Sequence, residues 1–329
     1  MSTPTFRDRL EHHQVVIYFA AVVIAAAVGA VVPGADTLEG AINPTLALML
    51  FVTFLQVPLA DLGRAYSRIR FLGALMASNF VVIPVLVALL VQFLPATPMV
   101  RLGVLFVLLT PCIDYVVTFS HIGRADARSL LASTPALLIA QMLLLPVYLR
   151  LFLDDAAADL VQLGPFIHAF VWLIAVPLAA AAVVQIWAAR SKVGARVAAG
   201  LGLLPVPATA LVLFIVVAAV VPQLGAAIEA ALRVVPLYVV FAVAAPLIGW
   251  TVARMARLEA SAGRAVAFSS ATRNSLVVLP LALAVPGAIP VLPAVIVTQT
   301  MVELVSSVIY MRLIPRFGEV KSGVLPAAK

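Results

Sequence analysis

Long apolar stretches follow one another along almost the whole chain, separated only by short polar interruptions. A helix that crosses a lipid bilayer needs roughly 20 predominantly apolar residues. Of the 329 residues 11% are charged, whereas soluble domains carry about a quarter. The sequence therefore predicts an all-α polytopic membrane protein that forms a single transmembrane domain over residues 1–329.

Charges, prolines and glycines divide the apolar runs into ten predicted transmembrane segments, numbered here in chain order. The first five cover about residues 15–32, 42–59, 71–94, 100–122 and 129–152, and the second five cover about residues 165–188, 199–221, 227–255, 264–285 and 289–314.

The basic residues predict how these segments are oriented. Most of the 21 lysines and arginines fall in loops or segment ends on one side of the ten segments, and only Arg101, Arg150 and Arg233 fall on the other side. By the positive-inside rule, both termini are predicted to be cytoplasmic in a multi-pass protein of the plasma membrane. The net charge of +7 is therefore interpreted as a topology signal, and we expect no nucleic-acid partner.

The two halves of the chain carry a similar heptapeptide in their last segments. PALLIAQ at residues 135–141 resembles PAVIVTQ at residues 293–299, and each follows a polar, interrupted segment. Two units of five helices must have opposite orientations, because five is odd. We therefore predict two inverted repeats, at about 14–152 and 164–315, with cytoplasmic tails at 1–13 and 316–329. Inverted repeats with broken helices are typical of secondary transporters, whose substrate site lies at the repeat interface.

Segment four contains a candidate substrate site, LLTPCIDYVVTFSHIG at residues 108–123. Pro111 removes one helical hydrogen bond and so opens the backbone. Cys112, the only cysteine, offers a soft ligand for a thiophilic substrate, although such a residue is often only a small buried apolar side chain. Asp114 places a carboxylate at membrane depth, where a charge costs several kcal/mol unless it faces a cavity or a partner.

Segment nine supplies a possible partner for that carboxylate. Arg273, within ATRNSLVV, lies too deep in the segment to reach the membrane surface easily. We predict that segments four and nine cross at their interruptions and that Asp114 and Arg273 form an ion pair there, for coupling or as a structural pair. Ser270, Thr272 and Asn274 are candidate substrate ligands, although serine and threonine often bond only to their own helix.

A second deep carboxylate, Glu303, lies within TQTMVELV of segment ten. It is a candidate coupling residue or, alternatively, a protonated carboxyl that makes an interhelical hydrogen bond. Possible supporting residues are polar side chains of other segments: Asn79, Thr118, Gln141 and Gln299. Ser120 and His121 lack the third group of a catalytic triad, so we expect neither an enzyme nor a cofactor.

The motifs TPCIDYVV in segment four, SNFVVIP in segment three, ATRNS in segment nine and MVELV in segment ten resemble the arsenite-efflux (arsenical resistance) permeases. These belong to the bile acid/arsenite/riboflavin transporter superfamily. The resemblance implies a bile acid:sodium symporter-like fold, in which segments one, two, six and seven form a panel beside a core built around crossed, broken segments four and nine. It also implies that Cys112 is the metalloid-interacting thiol, that Asn274 matches an asparagine of the segment-nine motif, and that Glu303 is the acidic residue of segment ten.

The chain departs from that family in segment nine. The family usually has two asparagines, an aromatic residue and a glutamate where this chain has RNSL at residues 273–276. Asp114 is a candidate replacement for the missing glutamate. In the sodium-coupled bile-acid branch, a glutamate and a glutamine of the sodium sites would fall at Ser269 and Arg273. A guanidinium there would repel sodium.

The sequence as a whole predicts a divergent arsenite-efflux permease. The expected function is export of arsenite or antimonite from the cytoplasm by proton antiport, with Cys112 contacting the transported metalloid and binding no resident metal. The alternative is a sodium- or proton-coupled symporter of a small organic anion. The expected partners are the solute, the coupling ion and the lipid bilayer.

Overall fold

The computed structural model describes residues 6–56, 68–113, 115–153, 163–223 and 227–318. These residues are helical, and the only extended pairing among them is one isolated bridge. The helices are α1 (Phe6–Val31), α2 (Glu39–Phe54), α3 (Ile69–Val91), α4 (Pro98–Leu108), α5 (Val116–Ile122), α6 (Ala127–Phe152), α7 (163–190), α8 (Lys192–Leu201), α9 (Pro205–Val220), α10 (Ala227–Met255), α11 (Ala260–Ala271), α12 (Ser275–Leu283) and α13 (Val291–Leu313). Single π-helical turns interrupt α3 at Ser78–Val82 and α7 at Val171–Ala175.

Three predicted segments consist of two helices instead of one. Segment four is α4 and α5, segment nine is α11 and α12, and segment seven is α9 with only the last three residues of α8. Lys192 was expected in a loop but begins α8, because Ser191 alone separates α7 from α8. Part of the predicted tail 1–13 is also helical, since α1 begins at Phe6.

Six helices of the described residues are long and apolar enough to cross a membrane, or seven if α8 and α9, which bend by 41°, form one span. Helices are the expected form, because hydrocarbon offers no partners for backbone N–H and C=O groups. Segments four and nine do not qualify as single spans because each is broken. The all-α class is confirmed for the described residues, whereas ten spans and inverted repeats stay predictions.

The helices pack into two groups. In the first group α9 packs against α1 and α2, and α7 packs against α2, where Gln185 Nε2 donates to the carbonyls of Phe54 and Leu55 at 3.2 Å each. In the second group α10 packs against α11 and α13, and α13 packs against α4. This division matches the panel and core that the resemblance implies, and it places both broken segments in the second group.

Two glycines allow backbones of the second group to approach closely. A Cβ atom on Gly103 of α4 would lie 2.8 Å from Cγ1 of Val295, and a Cβ atom on Gly249 of α10 would lie 2.5 Å from Oγ of Ser270. Small residues at such contacts are typical of helix packing in membranes. The helices that carry the site are therefore held against their neighbours with little spare volume.

Equivalent hydrogen bonds recur in the two halves of the chain. The hydroxyls of Tyr148 and Tyr310 each donate to a carbonyl 68 residues earlier. The hydroxyls of Thr110 and Thr272 each donate to a carbonyl four residues earlier, at 2.8 and 2.9 Å. In both pairs the second residue lies 162 positions after the first, so one constant interval relates contacts of the two halves.

Candidate functional site

The interruptions of segments four and nine lie against each other as two short extended stretches. Pro111 and Arg273 form an isolated antiparallel bridge. On either side of this bridge, the N–H of Cys112 donates to the carbonyl of Thr272 at 3.1 Å, and the N–H of Asn274 donates to the carbonyl of Thr110 at 2.9 Å. The crossing predicted for these segments is therefore present. Five of these six side chains, all except that of Pro111, are polar or polarisable.

The crossing diverts three backbone N–H groups from their usual acceptors. In a continuous helix each N–H bonds to the carbonyl four residues earlier. Here Cys112 and Asn274 donate across the crossing instead, and the N–H of Arg273 donates to Oε2 of Glu303 at 2.7 Å. The carbonyls that lose these helical donors are those of Leu108, Ser269 and Ser270.

The guanidinium of Arg273, which is completely buried, donates hydrogen bonds to those three carbonyls. Its Nη2 donates to the carbonyls of Ser269 and Ser270 at 2.7 Å each, and its Nη1 to the carbonyl of Leu108 at 3.3 Å. The ring of Phe241 lies 5.4 Å from Cζ, within the range of a cation–π contact. The arginine thus neutralises the negative ends of two half-helices, α4 and α11.

Asn79 supplies a fourth oxygen to the same group. Its Oδ1 accepts from Nη2 of Arg273 at 2.8 Å. Its Nδ2 donates to the carbonyl of Leu75 and to Oγ of Ser269, at 3.0 Å each, which fixes the orientation of the amide. Asn79 was expected only as a supporting residue between helices. The structure places it, on the π turn of α3, directly against the buried charge.

Glu303 of α13 connects both broken segments. Its Oε1 accepts from the hydroxyl of Tyr115 at 2.6 Å. Its Oε2 accepts from Nε2 of Gln299 at 2.6 Å, in addition to the N–H of Arg273, and Gln299 in turn bonds to Ser275. All three partners are donors, which is the environment that an ionised carboxylate requires. Tyr115 and Ser275 were not among the predicted residues, although both lie within the quoted motifs.

The predicted partner of Arg273 cannot be placed. Asp114 lies outside the described residues, so the Asp114–Arg273 ion pair stays a prediction. The described partners of the guanidinium are all neutral carbonyl and amide oxygens.

The predicted substrate ligands differ in the hydrogen bonds that their side chains already make. Thr272 and Ser270 each donate their hydroxyl to their own helix, to Phe268 and Val266 respectively. Asn274 is 2% exposed, and neither atom of its side-chain amide has a partner among the described residues. Cys112, completely buried, occupies the equivalent place in the other broken segment. The crossing therefore contains one amide without a partner in the described structure, together with a buried thiol.

Gln141 of α6 is also completely buried with both amide atoms unpartnered in the described structure. An unsatisfied buried polar group costs about 1–3 kcal/mol, so the four unpartnered amide atoms of Gln141 and Asn274 should be costly to bury. A bound solute or water with both hydrogen-bond donors and acceptors would satisfy them. Among the described residues, no cluster of three or more histidines, cysteines or acidic residues could hold a metal ion.

A cavity of about 230 Å³ lies between the two helix groups. Its walls include Glu11 of α1 and Thr53 of α2 on one side, and Thr118 of α5 and Arg128 of α6 on the other. It extends to Ile113, the residue after Cys112. The cavity therefore reaches the residue next to Cys112, whereas Cys112 and Asn274 do not line it.

Comparison with known families identifies the chain. The model of the sodium bile acid symporter family matches residues 43–229, which is more than half of the 329 residues. The chain belongs to the sodium bile acid symporter family. It is therefore a multi-pass membrane transporter of the bile acid symporter type, which moves a small solute with a coupling ion across a lipid bilayer. No curated protein matches the sequence.

The family match ends before segment nine. Arg273 and Glu303 both lie beyond residue 229, so the match carries no information about the charged residues at the crossing. The match therefore does not determine the branch of the superfamily or the coupling ion.

Proposed function

We propose that this family member is a secondary active transporter that exports a trivalent metalloid hydroxide, arsenite or antimonite, from the cytoplasm. The observation that carries the proposal is that one crossing contains both the buried thiol of Cys112 and the buried amide of Asn274, whose amide atoms have no partner in the described structure. Soft thiolate ligands suit thiophilic elements, and an amide can both donate and accept hydrogen bonds.

The chemistry of the solute fits these two ligands. A neutral metalloid trihydroxide resembles a small polyol, so its hydroxyl groups can donate to Oδ1 and accept from Nδ2 of Asn274 without an ion pair. The sulfur of Cys112 can replace one hydroxyl on the metalloid, and that hydroxyl leaves as water with the thiol proton. The exchange is reversible, which a transported solute requires.

The cavity supports a small solute. Pockets that enclose drug-sized ligands measure roughly 300–1,000 Å³, whereas this cavity measures about 230 Å³. With the basic loops on the cytoplasmic side, as the positive-inside rule predicts, the cavity would be a cytoplasmic entrance and this conformation would be inward-facing. Rocking of the α1, α2, α7 and α9 group against the other group would close it, as alternating access requires.

Two inverted repeats belong to this proposal. The tyrosine and threonine hydrogen bonds that recur after 162 residues support them. The same interval relates Gln141 to Glu303. Glu303 has three donors at the crossing, whereas Gln141 has neither of its amide atoms paired in the described structure. The substrate side of the crossing is therefore proposed to be the Gln141 side.

Proton coupling is proposed for Asp114 from the sequence alone. Protonation of this carboxylate would weaken an Asp114–Arg273 pair, and reformation of the pair after proton release would favour the opposite facing state. Asp114→Asn should remove the dependence of transport on the pH gradient. Full transport with an unchanged pH dependence would contradict this role.

Binding can be tested without transport. The thermal stability of purified protein should rise saturably with sodium arsenite, relative to an equal concentration of sodium chloride. Cys112→Ser and Asn274→Leu should each lose this rise, and Asn274→Leu should melt no lower than wild type without arsenite, because it removes an unsatisfied amide. Ser307→Ala, which changes a buried polar residue of a different helix, α13, is the matched control. An undiminished arsenite effect in Cys112→Ser would contradict the proposal.

The organic-anion alternative has one observation in its favour. Arg128 lines the cavity opposite Glu11, and its positive charge would attract an anion. Uptake of small carboxylates by proteoliposomes, compared between wild type and Arg128→Gln, separates the alternatives. Carboxylate uptake that depends on Arg128 and is unaffected by Cys112→Ser would favour the organic anion.

A further inference from the structure

The family name implies a sodium ion, and the crossing is where such an ion would be expected. In transporters with discontinuous helices, unwound carbonyls and the C-terminal ends of half-helices coordinate the coupling cation. The three carbonyls released by the crossing, together with Oδ1 of Asn79, form a set of oxygen ligands of this kind. Hard cations take carbonyl and amide oxygens as ligands.

These oxygens already surround a cation that belongs to the chain. Three of them lie within 2.8 Å of one atom, Nη2 of Arg273. That nitrogen carries two hydrogens, so three oxygens converge on it where two would satisfy its hydrogen bonds. Such convergence is typical of ligands around a charge, and it leaves no room for a free ion among the same oxygens.

The surroundings of the guanidinium also disfavour a free cation at this place. Arg273 has no exposed surface, so bulk water does not screen its charge. The face of Phe241 covers it at 5.4 Å, and Ser78 and Ser269 fix the neighbouring groups through bonds to Ser270 at 2.7 Å and to Asn79 at 3.0 Å. A second cation brought to this place would be repelled by the first.

We infer that Arg273 is a tethered cation that permanently occupies the oxygen cage in which a free sodium ion would otherwise bind, so that this protein works without sodium. The residues do not fit a sodium ion while Arg273 is present. The inference concerns the cation site and stands whether or not the solute is a metalloid.

Removal of the guanidinium should turn the cage into a binding site for a free cation. Purified Arg273→Ala should show a melting temperature that rises saturably with sodium chloride or with methylguanidinium chloride, but not with choline chloride. Wild type should respond equally to sodium and choline. Arg273→Lys keeps a charged nitrogen for the cage and should resemble wild type. Arg233→Ala, an exposed arginine on α10, controls for the loss of one positive charge and should show no sodium effect.

The same experiment can overturn the inference. A wild-type protein stabilised by sodium but not choline would contradict it, as would an Arg273→Ala protein that responds to no cation. If Arg273→Ala folds only when methylguanidinium or sodium is present during purification, the inference is supported. If it folds under no condition while Arg273→Lys does, a free cation cannot replace the side chain and the inference fails. The assay contains no solute, so its outcome is separate from that of the metalloid proposal.

Discussion

Glu303 should be the residue on which the stability of the crossing depends most. It accepts hydrogen bonds from the hydroxyl of Tyr115 in segment four, from the backbone N–H of Arg273 in segment nine and from Gln299 on its own helix, at 2.6, 2.7 and 2.6 Å. Glu303→Leu would leave all three buried donors without this acceptor. Glu303→Gln would keep one carbonyl oxygen for Arg273 and Gln299 and would present an amide NH₂ to the hydroxyl of Tyr115, which can accept as well as donate.

The magnitudes follow from these contacts. Each buried donor left unsatisfied costs about 1–3 kcal/mol, so the loss of the acceptor of three donors should cost at least about 3 kcal/mol for Glu303→Leu. Hydrogen bonds to a charged acceptor contribute about 1 kcal/mol more than bonds to a neutral one, which for two bonds gives about 2 kcal/mol for Glu303→Gln.

Thermal unfolding of the purified variants in detergent measures these losses. A loss of 1 kcal/mol lowers Tm by roughly 2–4 °C in chains of 150 to 250 residues, and by less in longer chains. Glu229→Gln is the matched control, because its carboxylate pairs with Arg233 at 2.5 Å with 72% of the glutamate side chain exposed, and such i,i+4 pairs contribute only about 0.3–0.5 kcal/mol. Equal melting temperatures for Glu303→Leu, Glu229→Gln and wild type would refute the conclusion that Glu303 stabilises the crossing.

Further predictions concern contacts around the crossing, and each is checked by the same thermal measurement. Tyr115→Phe removes one donor to the carboxylate and should cost about 1–2 kcal/mol; an unchanged Tm would mean that this bond does not matter. Gly249→Ala puts a methyl group 2.5 Å from Oγ of Ser270 and should cost about 1–3 kcal/mol. Gly73→Ala, with no atom within 4 Å, should be neutral or stabilising by about 0.5–1 kcal/mol. Tyr148→Phe and Tyr310→Phe remove equivalent bonds and should each cost about 1 kcal/mol; very different losses would argue against structural equivalence of the two halves.

The break in segment four was predictable from one residue, whereas the break in segment nine was not. Pro111 lacks an N–H, which removes one helical hydrogen bond and favours a break there, although α6 continues through Pro135 and Pro146. Segment nine has no proline between 260 and 275. It opens because the N–H of Arg273 finds Glu303 and the N–H of Asn274 finds a carbonyl of segment four. Both acceptors are distant in the chain, so no local pattern could predict them.

The register of the two halves shows a similar limit. The repeated heptapeptide aligns Gln141 with Gln299, but the recurring hydrogen bonds align Gln141 with Glu303 instead, one helical turn further on. A helix repeats its surface every 3.6 residues, so a short apolar motif can match in a register that is wrong by one turn. Similarly, the sequence predicted a carboxylate partner for Arg273, because a buried charge usually needs one. It could not predict that helix-end carbonyls would surround the guanidinium.

The metalloid proposal requires that the thiol of Cys112 binds the transported metalloid at this crossing. Its most direct test is arsenite accumulation in everted membrane vesicles that carry either wild type or Cys112→Ser, under an imposed proton gradient. We expect wild-type vesicles to accumulate arsenite at equal rates in sodium and choline buffers, and a protonophore to abolish this accumulation. Vesicles with Cys112→Ser should not accumulate arsenite. Accumulation by Cys112→Ser at the wild-type rate, or no accumulation by wild type under any gradient, would contradict the proposal.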